Sequence, residues 1–171
     1  MRPEQELYER LIEPIQDRMI AIVTRIMRDR EDAQDVFQEV LAVIWKRLRA
    51  IDRHANPQAY ILRICVTRSY DALRGKAKRR REVRLERDIE AGRTACRAED
   101  GELAQQLNQA IALLPPKQGK AVFLRLIEGE DYAAIGEILD CSPDTARSHF
   151  HKGKLLLRHI LQDLGLGPER S

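Results

Sequence analysis

The chain has 171 residues, a third of them charged, and a formal net charge of only +3. That length holds one ordinary domain or two small ones. The near-balance of charge excludes a polycation that holds nucleic acid over its whole surface, so where the charge sits matters more than its sum.

Long segments rich in Arg, Glu, Leu and Ala, without strand-like alternation, predict an all-α protein. Residues 1–6 lack the apolar core of a signal peptide, and no apolar run approaches bilayer length, so a cytoplasmic protein is expected. Cys65, Cys96 and Cys141 are odd in number and far apart, with neither disulfide logic nor zinc-ligand spacing. Cys65 and Cys141 read as small core residues, and Cys96 lies in a polar stretch.

The first helical region carries Leu7, Leu11, Ile15, Met19, Ile22 and Ile26 at helical spacing, with a break at Pro14. Asp32 is placed to cap the next helix, which turns Ala33, Val36, Phe37, Val40, Leu41, Ile44 and Trp45 inward. Its other side is polar, with Asp35, Gln38 and Glu39. Residues 51–57 form a loop, and Pro57 suits the first turn of a further helix. That helix buries Tyr60, Ile61, Ile64, Cys65 and Leu73, shows Arg63, Thr67, Arg68, Asp71 and Arg74 outward, and stops near Gly75.

Six of the eight residues 74–81 are Lys or Arg, and then the charge reverses. Residues 76–101 are poor in large apolar side chains and read as a linker, partly helical at most. The expected organisation is therefore two small helical domains, residues 1–75 and 102–171, joined by a flexible charged linker. In the second, Leu103, Leu107, Ala110, Ile111 and Leu114 make an amphipathic helix that Pro115-Pro116 breaks. The next helix, with Ala121, Val122, Leu124 and Ile127, ends at Gly129.

Two more helices follow, joined by a tight turn. Asp131 caps the first, with Tyr132, Ile135, Ile138 and Leu139 inward. Ser142-Pro143-Asp144 starts the second: an N-cap, a proline at the first helical position and an acid at the positive end of the helix dipole. Ala146, Phe150, Gly153, Leu157, Ile160 and Leu161 share an inward face, and Arg147, His151, Lys154 and Arg158 the opposite one, flanked by Ser148 and Lys152. This is a helix-turn-helix with a basic outer face, the arrangement that places the second helix in a major groove. Leu155 also falls on the outer face and fits no role there. His149, His151 and His159 with Cys141 do not converge as metal ligands, because residues two apart on a helix point different ways. No phosphate-cradling glycine loop or nucleophile–base set is present, so no catalysis, cofactor or metal is expected.

Both halves match one pattern. Asp32-Ala33-Gln34-Asp35-Val36-Phe37-Gln38-Glu39-Val40 followed by Trp45, then Pro57-Gln58-Ala59-Tyr60-Ile61-Leu62-Arg63-Ile64 and Asp71-Ala72-Leu73-Arg74, stand in the first half. Leu114-Pro115, Val122-Phe123-Leu124, Glu128-Gly129-Glu130-Asp131-Tyr132 and Ser142-Pro143-Asp144-Thr145 stand in the second. The chain thereby resembles the bacterial RNA polymerase sigma factors, specifically the small two-domain extracytoplasmic-function type. It departs from that pattern at Thr67, where Asn is usual, at Ala134-Ile135-Gly136, where Glu-Ile-Ala is common, and at Lys152-Gly153, where Arg-Ala is frequent.

The resemblance implies a division of labour. Asp32, Asp35, Gln38 and Glu39 would dock on the clamp helices of the largest subunit of core RNA polymerase, as acceptors for Arg and Lys donors. Arg53, His54 and Asn56 in the loop, with Arg63, Thr67, Arg68 and Arg74 on the helix, would read and open the −10 element. The basic run would hold phosphates without sequence preference; six neutralised phosphates give a log–log salt slope near roughly −5. Arg147, Ser148, His151 and Lys152 would read the −35 element in promoter DNA, with Lys154 and Arg158 on its phosphates. An anti-sigma factor is the further partner the resemblance implies. The alternative reading is a stand-alone helix-turn-helix regulator that binds as a dimer; it has no need of the docking face on residues 32–45.

Overall fold

The protein is described here by a computed structural model covering residues 2–87 and 100–167. Cys96 and the acidic centre of the linker lie outside the described residues. Among the described residues the regular structure is entirely helical. None of these helices is long and apolar enough to cross a membrane.

Helices α1 (Pro3–Leu11) and α2 (Gln16–Met27) are separated by a 3-10 turn over Glu13–Ile15, where Pro14 breaks the α-helical bonding. Helix α2 buries Met19, Ile22, Val23, Ile26 and Met27. Helix α3 (Arg30–Asp52) begins earlier than its sequence suggests: Asp29, not Asp32, is the cap, its Oδ1 accepting the Asp32 N–H at 3.0 Å. Arg28 makes this possible by taking a positive φ of 62°, which ends α2 and turns the chain at once into α3. Trp45, expected in the core, is 50% exposed and lies against Tyr8 of α1, ring centroids 5.9 Å apart. It sits at the edge of the α3 apolar stripe, where α1 docks and Arg10 pairs with Asp52 at 2.5 Å.

Helix α4 (Pro57–Arg87) is capped by Asn56, whose Oδ1 accepts the Ala59 N–H at 3.0 Å. It does not stop at Gly75. A glycine inside a helix costs about 1 kcal/mol. The Lys, Ala and Arg residues that follow are good helix formers, and Lys76 pairs with Asp32 of α3, which ties down the turn after the glycine. The basic run is therefore helical.

The second half comprises α5 (Asp100–Ala112), α6 (Pro116–Leu126), α7 (Tyr132–Leu139) and α8 (Pro143–Asp163). Asp131 caps α7 through the Ala134 N–H at 2.7 Å, and Ser142 caps α8 through the Thr145 N–H at 3.1 Å, as read from sequence. Between them Asp140 adopts a left-handed conformation, φ 58° and ψ 53°. The turn is tight enough that a Cβ on Gly136 would lie 2.6 Å from the Cys141 carbonyl oxygen. Here the departure from Ala is forced by the local backbone. Ala146, Phe150, Gly153 and Leu157 form the buried face of α8, with Ile160 and Leu161 half-buried against it.

The two halves share one contiguous apolar core. Tyr70 of α4 meets Phe123 of α6 edge to face at 5.8 Å, both within the buried core. Asn108 of α5, itself buried, donates its side-chain amide to the Arg25 and Ile26 carbonyls at 2.6 and 3.3 Å. These are two of the carbonyls that the C-terminal end of α2 leaves without an intrahelical partner.

Candidate nucleic-acid interface

On α3, Asp35, Gln38 and Glu39 are exposed, while Asp32 is partly covered and paired with Lys76. Beside them, α2 and α3 enclose an open groove of about 740 Å³. Ile20, Val23 and Phe37 give it an apolar floor, with Asp35 and Gln38 on one side and Arg28 and Arg30 also lining it. The acidic face was legible as a polar stripe. The groove was not, because it is made by two helices whose separate patterns each read only as core, and Ile20 betrays it only by being 42% exposed.

The seven candidates around the start of α4 are not equally available. Arg53 and Arg68 are exposed. His54 is half-buried, its Nδ1 accepting the Asn56 N–H at 3.0 Å, and its ring stands edge-on to Tyr60 at 5.1 Å. Arg63, Thr67 and Arg68 line a cavity of about 290 Å³ with Arg47, Tyr60 and Asp71, a basic recess between α3 and α4. Arg63, Thr67 and Asn56 also bond to the second half. Arg63 Nε donates to the Ile138 carbonyl at 2.6 Å and Nη2 to the Glu137 carbonyl at 3.1 Å. Asn56 donates its amide to the Glu137 carboxylate. Thr67 Oγ1 accepts from Lys120 Nζ at 3.1 Å. Burial pulls the Lys120 ammonium below its ordinary pKa, Asp71 pushes it back up, and Arg74 and Lys117 lower it again. Arg74 is half-buried.

On α8 the picture is simpler: Arg147, Ser148, His151, Lys152, Lys154 and Arg158 are all exposed. The Arg147 guanidinium lies 5.1 Å from the centroid of the Tyr132 ring, and Arg125 lies 4.9 Å from it. Such cation–π contacts are individually worth about 0.5–1 kcal/mol at exposed sites. Their use here is to hold Arg147 in place at the start of α8. Sequence periodicity placed Tyr132 in the core and missed this second use of its ring. Leu155 is 58% exposed, as its outward position implied. Lys78, Arg79, Arg80 and Arg81 are exposed along the end of α4.

A helix-turn-helix with a basic outer face and a basic recess on a second helix belong to a DNA-binding protein. The chain matches two families in succession: Sigma-70 region 2 over residues 11–79 and Sigma-70, region 4 over residues 104–157. It is 23% identical to the ECF RNA polymerase sigma factor SigW of Bacillus subtilis, over 94% of this chain and 92% of that protein. It is 24% identical to the RNA polymerase sigma-H factor of Pseudomonas aeruginosa, over 95% and 90%. Its fold is similar to that of the sigma factor RpoE of Bartonella quintana, solved with the anti-sigma factor NepR, at a TM-score of 0.54 and 22% identity over 91% of this chain and 96% of that one. The chain belongs to the extracytoplasmic-function sigma factors. It binds core RNA polymerase, directs it to promoters through their −10 and −35 elements, and starts transcription there. The stand-alone dimeric regulator is not favoured, because the region 2 match occupies a unit such a regulator does not need.

Proposed function

We propose that residues 1–75 carry the polymerase-docking and −10 surfaces and residues 102–171 the −35 surface. The charged stretch 76–101, which begins as the end of α4, connects them. Asp35, Gln38 and Glu39 grip the clamp helices of the largest polymerase subunit, with Asp32 at the edge of the contact. Their carboxylates and amide accept from Arg and Lys donors, and the apolar floor of the α2–α3 groove receives a side chain of the partner. Arg53, His54, Asn56, Arg63, Thr67, Arg68 and Arg74 hold the opened −10 strand. The recess between α3 and α4 has the size and charge to take an unstacked base and its phosphate. Arg147, Ser148, His151 and Lys152 read −35 base edges, and Lys154 and Arg158 hold its phosphates.

The single observation that carries this assignment is the exposure of the whole Asp35–Gln38–Glu39 face beside a groove. A helix face with no partner has no reason to border an apolar trough. An anti-sigma factor, as in the complex of the Bartonella quintana relative, is the second protein partner, and the protein works in the cytoplasm, where promoter DNA is. The test is to replace Asp35 and Gln38 by Lys and ask whether the variant still co-purifies with core polymerase. Loss of the complex with the helical content intact supports the docking face, and undiminished binding removes it.

A further inference from the structure

The recess between α3 and α4 has two walls, and its arginines are held differently. Tyr60, Arg63, Thr67, Arg68 and Asp71 follow one another at helical spacing on α4, and Val43 and Arg47, one turn apart on α3, complete the lining with the buried Ile64. Arg63 donates Nε to the Ile138 carbonyl and Nη2 to the Glu137 carbonyl, so only part of its donor fork is left. The Thr67 oxygen accepts from Lys120. Arg47 and Arg68 are exposed, and among the described residues neither bonds to the second half of the molecule. Arg47 makes one weak contact, from Nη1 to the Tyr60 hydroxyl at 3.5 Å. The Tyr60 ring in turn lies under the Arg63 guanidinium, 5.4 Å from its centroid. Tyr60 therefore touches both arginines, one with its hydroxyl and one with its ring. No local pattern in the sequence marks Arg47, because the wall it faces is built by another helix.

We propose that Arg47 is a further promoter-contact residue: with Arg68 across the recess it clamps the phosphate of the nucleotide whose base enters between α3 and α4. This deepens, and rests on, the assignment of the opened −10 strand to this recess. The lining divides the work. Val43 and Ile64 give apolar surface for a base. The phosphate stays at the lip with the two exposed guanidiniums, each able to donate two parallel N–H bonds to it. Asp71, the one acid of the lining, opposes a phosphate, but three arginines outweigh it, and its charge also acts on Lys120 of α6, raising that ammonium against its burial. Arg47 stands on the same helix as Asp35, Gln38 and Glu39, eight residues beyond the last of them and so about 12 Å along the axis. A polymerase that grips this helix thereby fixes where one arm of the clamp meets the strand.

The test measures binding of the full chain to a pool of short random single-stranded DNA over a range of salt, with a random duplex in parallel. Arg47→Gln is expected to make the single-strand log–log salt slope shallower by about 0.7, the share of one phosphate contact. The thermal midpoint should not move, because the side chain is exposed and weakly bonded. Arg68→Gln should give a loss of the same size, and the double variant about twice that. Arg47→Lys should keep the slope but bind more weakly than the wild type, since an ammonium is a point charge without the fork. An unchanged slope in Arg47→Gln beside a shallower one in Arg68→Gln overturns the role of Arg47 alone. Unchanged slopes in both variants overturn the assignment of the strand to this recess. An equal change on the duplex overturns the clamp, because Arg47 is then a general surface cation. A loss that depends on the base composition of the pool overturns the phosphate contact and makes Arg47 a reader of bases.

Discussion

The α4 and α8 surfaces are both basic, both helical and both assigned to promoter DNA, yet they differ in what holds their side chains. On α8 the candidates that have a neighbour are placed within their own unit: Arg147 and His151 lie against the Tyr132 ring, and Lys154 lies over Phe150. On α4 the corresponding residues are placed by the other half of the molecule, through backbone carbonyls and a lysine. A surface organised locally is ready whenever the domain is folded. A surface whose side chains are bonded to a distant segment depends on where that segment sits.

The sharpest way to break this contrast is Gly136→Ala. The new methyl group would meet the Cys141 carbonyl at 2.6 Å. Overpacking of this kind costs about 1–3 kcal/mol, more than the helix propensity gained. Thermal unfolding should show the loss, and −35 duplex binding should fall because the turn sets the angle of α8. Single-strand binding through α4 should be spared, because the recess between α3 and α4 is built within the first half. Equal losses at both elements would mean that the two surfaces are not separately organised.

A smaller effect is expected from Arg147→Ala. It should cost roughly 1–3 kcal/mol at one or two −35 base pairs, measured by binding to a set of substituted duplexes. A uniform loss over all sequences would make Arg147 a phosphate contact. The least is expected from the end of α4. Sequence alone counted six cations, but Lys76 is held by Asp32. Lys78, Arg79, Arg80 and Arg81 are the exposed ones, so the contribution of these four to the log–log salt slope should be no steeper than about −3.6. A steeper difference from a variant neutralised over residues 78–81 would mean that cations outside those four depend on them for their phosphate contacts.

The helices, the caps at Asp131 and Ser142 and the buried face of α8 were legible because each depends on residues within a few positions of one another. The cap of α3 was misread by three residues because two aspartates compete there, and the decision falls to the unusual backbone of Arg28. Gly75 was misread as a stop because a local rule took no account of Lys76 reaching α3. The α2–α3 groove and the seam between the halves could not be read at all. Arg63, Thr67 and Asn56 were singled out as outward polar side chains, yet they are half-buried, because their partners lie more than fifty positions away in the chain.

Helix α4 is unbroken from Pro57 to Arg87, so at about 1.5 Å per residue it is a rod of roughly 46 Å. Its arginine-rich tip and the recess near its start cannot rotate independently about the helix axis. On the proposed assignment, backbone phosphates caught at the tip would set the azimuth at which Arg63 and Thr67 meet the strand. A contact that carries no sequence information would thereby tune the fidelity of one that does.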